Sequence, residues 1–189
     1  MSLGKDYGES HYLAPVRGAQ PQSQGWVDGF PHDPWLVLNA YFARAFKEGS
    51  MPPIEQDQIF VWARPHPKDA TALDPVSRPD YWQVVSLRKS QSPAGAQAQR
   101  FVQTDDLFWV VVFARAPCTA LLATGDEDPS QFSCSAGVSK LSYPLRVGYG
   151  MHAELIRDGV VVAQCNPGEF VFQAAPKVYN FNAYVAASA

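Results

Sequence analysis

Asp6 and Glu9 stand three residues apart in Asp-Tyr-Gly-Glu-Ser-His-Tyr (residues 6–12), among a glycine, a serine, a histidine and two tyrosines. Hydrolysis of a glycosidic bond needs such a pair. One carboxylic acid must protonate the leaving oxygen while the other, ionised, activates water or attacks the sugar. The spacing alone is weak evidence, because two acids at this separation are more often a solvated surface pair. In a regular strand, positions i and i+3 also point to opposite faces. Both carboxylates can face one cleft only where the chain breaks just after a strand end, and Gly8 permits that break.

Other chemistry finds less support. Four histidines and three cysteines are scattered without ligand spacing, so neither a metal nor another cofactor is expected. Cys118, Cys134 and Cys165 form no CxxC motif, and an odd count leaves at least one unpaired in any intramolecular scheme; one disulfide stays open. Without it the three read as small buried hydrophobes. Among the tryptophans (Trp26, Trp35, Trp62, Trp82 and Trp109), Trp35 and Trp109 lie inside apolar patterns and read as core rather than as sugar platforms.

The elements that must position these groups fall into two regimes. From Asp33 to Gly49, apolar Trp35, Leu38, Phe42, Ala45 and Phe46 recur at helical spacing, with Asp33 read as N-cap, Pro34 at the first helical position and Gly49 as the stop. Residues 57–64, Asp-Gln-Ile-Phe-Val-Trp-Ala-Arg, form an apolar run bounded by prolines and suited to a buried strand, so strand end, helix and strand read as one βαβ unit. Its helix stripe is expected to pack on Ile59, Val61 or the second domain, because left bare it would be an aggregation patch. Pro65, Pro67, Pro75 and Pro79 mark extended connecting chain, and residues 86–104 are a polar, low-complexity linker or insertion.

From Asp105 the period changes to two. Leu107 to Phe113 is apolar on both faces, Thr119 to Thr124 follows, and Leu141, Tyr143, Leu145 and Val147 alternate with polar residues. Ala153 to Arg157 and Val160 to Gln164 flank Asp158-Gly159, a strong hairpin signal, and Tyr179 to Val185 makes a last strand. Short alternating strands without a helix among them predict an antiparallel β-sandwich.

Composition bounds the rest. At 47% hydrophobic and 17% charged residues the chain is globular, and a net charge of -3 with a pI near 5.7 leaves no basic footprint for nucleic acid. Its most apolar stretch, residues 107–114, is far short of the roughly 20 residues a membrane helix needs, so neither nucleic acid nor membrane is an expected partner. The N-terminal residues lack the apolar segment of a secretory signal, as in an intracellular protein or a piece of something longer.

Five segments together resemble glycoside hydrolase family 71, the fungal α-1,3-glucanases or mutanases. They are Asp6 to Tyr12, His32-Asp-Pro-Trp35, Asp57 to Pro67, Arg78-Pro-Asp-Tyr-Trp82 and Tyr179-Asn-Phe-Asn-Ala-Tyr-Val185, in the family's order. The resemblance implies a (β/α)₈ barrel followed by a C-terminal β-sandwich, and inverting hydrolysis of α-1,3-glucan. It places the catalytic carboxylates on Asp6 and Glu9, at the C-terminal end of a late barrel strand, where barrel active sites lie. His11 and Tyr12 become candidates for the sugar subsite, although a histidine beside a tyrosine serves equally well as a structural hydrogen-bonded pair. Arg64 and His66, just past an expected barrel strand, become candidates for binding glucan hydroxyls, with a salt-bridged loop as the plainer alternative.

The expected fold is therefore α+β: the end of a (β/α)₈ barrel with its connector (1–85), a linker or insertion (86–104) and an antiparallel β-sandwich (105–189). Where the family has Thr-Trp-Asn before the aspartate, this chain has Leu3-Gly4-Lys5. A barrel takes about 250 residues, so the chain alone is expected to be inactive, and the intact family member to be secreted or in the cell wall. A non-catalytic β-sandwich that binds glucan or a protein partner is the alternative function.

Overall fold

The computed structural model describes residues 32–67, 70, 106–176 and 183–189. Among the described residues one helix, α1 (Asp33–Glu48), is followed by eight strands: β1 (Gln58–Ala63), β2 (Leu107–Ala114), β3 (Cys118–Ala123), β4 (Ser130–Cys134), β5 (Gly137–Pro144), β6 (His152–Arg157), β7 (Val160–Cys165) and β8 (Tyr184–Ala187). They form two four-stranded sheets, ordered β5-β2-β1-β8 and β4-β3-β6-β7. Every pairing is antiparallel.

The uninterrupted apolar runs of β1 and β2 are explained by burial on both faces. Ile59, Val61, Phe108, Val110 and Val112 look inward and share a core with Leu122, Ala153 and Leu155 of the second sheet. Phe60, Val111 and Phe113 look outward and lie beneath Leu38, Trp35 and Tyr41 of α1. The result is three layers, helix on sheet on sheet, and each large apolar side chain so buried contributes about 1.5–3 kcal/mol.

Helix α1 starts one residue earlier than expected: His32 occupies the N-cap position without a side-chain capping bond, and Asp33 is the first helical residue. Gly49 ends it in the left-handed region (φ 68°), as its type predicts. The stripe packs on the sandwich as expected, but on the Phe60 face rather than on Ile59 and Val61. Its flank stays open, with Phe42 43% and Phe46 78% exposed.

The expected βαβ unit is corrected. β1 runs antiparallel to both β2 and β8, pairing Trp62 with Trp109 and with Val185, whereas the strands of a βαβ unit are parallel. An apolar run flanked by prolines fits a barrel strand and a central sandwich strand equally well, and only its distant partners decide. The expected linker at 86–104 lies outside the described residues.

Asp158 (φ 52°) and Gly159 (φ 77°) form the two-residue turn expected between β6 and β7, both with positive φ as a type I′ hairpin requires. A Cβ on Gly159 would meet nothing, whereas one on Gly125 (φ 68°) would come within 2.8 Å of the Tyr149 ring. Gly159→Ala is thus expected to cost about 1 kcal/mol of backbone strain alone, and Gly125→Ala about 2 kcal/mol or more. Denaturant titration of the two variants checks the order, and equal losses would contradict it.

Candidate functional site

At one end of the first sheet, β1 finishes at Ala63, opposite Phe108 near the start of β2 and Tyr184 at the start of β8. His32, Asp106 and Ala183 all lie here. The His32 ring nitrogen Nε2 is 2.9 Å from the carbonyl of Ala183. Arg64 forms an ion pair with Asp106, and the Leu145 amide donates to the Asp106 carbonyl at 2.8 Å. Two of the family-like segments therefore contribute to this end, through His32 and Arg64.

Aromatic rings line the helix side of this end. His32 tilts over Trp35 at 4.6 Å between ring centres, and Trp35 meets Trp62 edge-on at 6.2 Å. Trp109, opposite Trp62 in register, carries the Lys140 ammonium 4.6 Å above its ring. Trp35 and Trp109 are thus packing residues of the outer face, half-buried rather than deep in the core.

The predicted site residues separate into two groups. Asp6, Glu9, His11 and Tyr12 lie outside the described residues. Arg64 keeps 39% of its side chain exposed and is held by Asp106. His66 is only 5% exposed, and burial pushes its imidazole below the ordinary histidine range, which favours the neutral form. Next to it, the Gln173 amide donates to the Pro65 carbonyl at 3.0 Å.

Two further residues complete the end. The Tyr184 hydroxyl donates to Glu169 Oε1 at 2.5 Å. That bond lowers the Glu169 pKa, while burial first and the Glu169 carboxylate second raise that of Tyr184. Tyr184 belongs to the closing family-like segment and was legible as part of it. Glu169 has no local signal, because its partner lies 15 residues away.

The opposite end is held by Asp57, whose side chain is 3% exposed. Its carboxylate accepts from the Arg115 amide (2.9 Å), Arg115 Nε (3.0 Å), Arg157 Nη1 (2.9 Å) and Arg157 Nη2 (2.7 Å). Arg157 Nη2 also donates to the Ala116 carbonyl at 2.9 Å. The cluster ties the first sheet to β6 of the second, and the Arg157 hydrogen bonds hold the Asp57 carboxyl well below the usual carboxylate range. A carboxylate so saturated has no lone pair left for proton transfer, and its role is structural. Among the described residues no group of three or more His, Cys, Asp or Glu side chains is placed to hold a metal.

Comparison with known proteins agrees with the family-like segments. The chain is 32% identical over 181 residues to the glucan endo-1,3-alpha-glucosidase of Schizosaccharomyces pombe, covering 95% of this chain and 38% of that protein. It is 28% identical over 184 residues to a mutanase of Penicillium rubens, covering 95% of this chain and 37% of that protein. The chain therefore spans a little over a third of the length of these relatives, matching their C-terminal portions. No solved structure matches it. The sequence model of glycosyl hydrolase family 71 matches residues 5–189, a span that takes in Asp6, Glu9 and both sheets, and the chain belongs to that family.

Proposed function

We propose that this chain is the C-terminal part of an α-1,3-glucan hydrolase, with Asp6 and Glu9 as its catalytic carboxylates. The observation that carries the reading is the family match beginning at residue 5, which takes in both acids, with relatives named for this activity. One carboxylic acid protonates the departing glycosidic oxygen and the other takes a proton from the attacking water. Inversion sets the two groups about 6.5–9.5 Å apart, with that water between them. Residues 1–31 are proposed to belong to the end of a (β/α)₈ barrel. Support comes from the sandwich end described above, since the chain reaches it at His32, beside Arg64 and Ala183.

His11 and Tyr12, next to the carboxylates in sequence, are proposed to line the sugar subsite. Arg64, still partly exposed in its ion pair, retains a proposed contact with glucan. The burial of His66 supports a packing role for it instead. A secreted or cell-wall location is proposed on the polysaccharide substrate alone. Among the described residues no helix is long and apolar enough to cross a membrane.

General acid and base act only when a preformed cleft holds both on opposite sides of one bond. The described residues contain no barrel to supply its walls. The chain by itself is therefore expected to release no reducing sugar from insoluble α-1,3-glucan, and the same chain joined to the N-terminal portion of the S. pombe relative is expected to release it. Hydrolysis by the lone chain would overturn the need for a barrel. A folded but inert joined protein would overturn the hydrolase assignment.

A further inference from the structure

The three cysteines differ sharply in their surroundings. Cys118 opens β3 and Cys134 closes β4, and the strand register sets them directly opposite each other. Residues opposed in this way present their side chains to the same face. Here it is the face shared with Ala120, Leu122 and Phe132, which looks into the sandwich. Opposed Cα atoms in an antiparallel pair lie about 4.5–5.5 Å apart, within the roughly 4.4–6.8 Å that a disulfide spans. As thiols, Cys134 Sγ leans on the Phe132 carbonyl at 3.9 Å, and burial raises the Cys118 thiol above its ordinary range, partly offset by the neighbouring Arg157 guanidinium. Closing a bond between them asks for side-chain rotation at two strand ends, not for backbone rearrangement.

Cys165 does not compete. It sits on β7 opposite Ala153, with β6 between it and β3. At about 4.8 Å per strand it is about 10 Å from β3 and about 14 Å from β4, beyond the reach of either thiol. It is buried, and burial pushes its thiol up to about 12, which keeps it protonated and inert. Of the other pair, Cys134 is buried too and Cys118 is half-buried. A cleft of 430 Å³ is lined by Pro117, Cys118, Ser133, Cys134, Arg157 and Asp158, with Cys118 the less buried of the two sulfurs.

We propose that Cys118 and Cys134 are a cross-strand disulfide site that closes by exchange with a small disulfide and ties the edge strand β4 to β3. The Cys118 thiolate attacks the small disulfide, forms a mixed disulfide and expels one thiolate. The Cys134 thiolate then attacks the Cys118 sulfur, closing the protein bond and expelling the second. The two protein protons end on the two expelled thiolates, so the chain is oxidised as the reagent is reduced to two thiols. This inference is independent of the glucanase reading.

The test uses the wild-type chain and oxidised glutathione, followed by iodoacetamide under denaturing conditions, intact mass measurement and peptide mapping. One alkylated thiol, on Cys165, and one peptide linking Cys118 to Cys134 are expected. The oxidised form should melt about 5–15 °C above the form reduced with dithiothreitol. Three alkylated thiols after exhaustive incubation, a persistent glutathione adduct on Cys118, or a linked peptide containing Cys165 would each overturn the proposal. Cys165→Ala is expected to leave the link intact and Cys134→Ser to abolish it, but the wild-type map decides even if neither variant folds.

Discussion

Glu9→Gln, and separately Asp6→Asn, made in a protein joining this chain to the N-terminal portion of its S. pombe relative, is expected to lower turnover of α-1,3-glucan by at least about 10²–10⁴-fold. Co-sedimentation with insoluble glucan should survive, because each substitution removes a proton donor or acceptor and leaves the shape of the side chain almost unchanged. Both substitutions target proton transfer, and their effects should combine to far less than the product of the two, as for groups acting in one step. Full activity of the double variant would remove Asp6 and Glu9 from catalysis. Loss of binding in parallel with turnover would recast them as structural residues.

Asp57→Ala is expected to destabilise the folded chain by about 3 kcal/mol, because it strips charged partners from Arg115 and Arg157 and opens the tie between the two sheets. The pH dependence gives a second readout. The folded-state pKa of Asp57 is depressed, so its contribution is fully present above the unfolded value of about 4 and is lost as pH falls from there toward the folded value. Wild-type stability should therefore drop more steeply than that of Asp57→Ala below about pH 4, and the two curves should converge. Urea titrations from pH 7 down to pH 3 measure this, and parallel curves would show that the cluster contributes nothing specific.

Helix α1 was visible in its apolar spacing, in Pro34 and in Gly49, and the hairpin was visible in Asp158-Gly159, because each depends only on neighbours along the chain. β2, β3, β6 and β7 were placed within a residue or so at each end, but β5 begins at Gly137, earlier than its alternation suggested. β4 carries no local signal: Ser-Gln-Phe-Ser-Cys offers one large apolar residue and becomes a strand by pairing with β3. The position of β1 is ambiguous for the converse reason, since Gln-Ile-Phe-Val-Trp-Ala suits any central strand that is apolar on both faces. Asp57 showed its type and place but not its role, because Arg115 and Arg157 lie 58 and 100 residues further on. Of the candidate site, Asp6 and Glu9 were legible only through the company of the other family-like segments; their spacing alone would not have singled them out.

The placement of β1 bears on how the chain is made. Its amides and carbonyls are shared between β2 and β8, and the bond from Ile59 to the Ser188 hydroxyl spans 129 residues. During synthesis the first sheet remains unfinished until residues that far downstream have emerged from the ribosome. Until then β1 offers an open edge bearing Phe60 and Trp62, the kind of edge that pairs with another nascent chain. Such long-range closure also places folding among the slower topologies. Yield in a heterologous host should thus be governed by how long that edge waits, more than by the final stability of the sandwich.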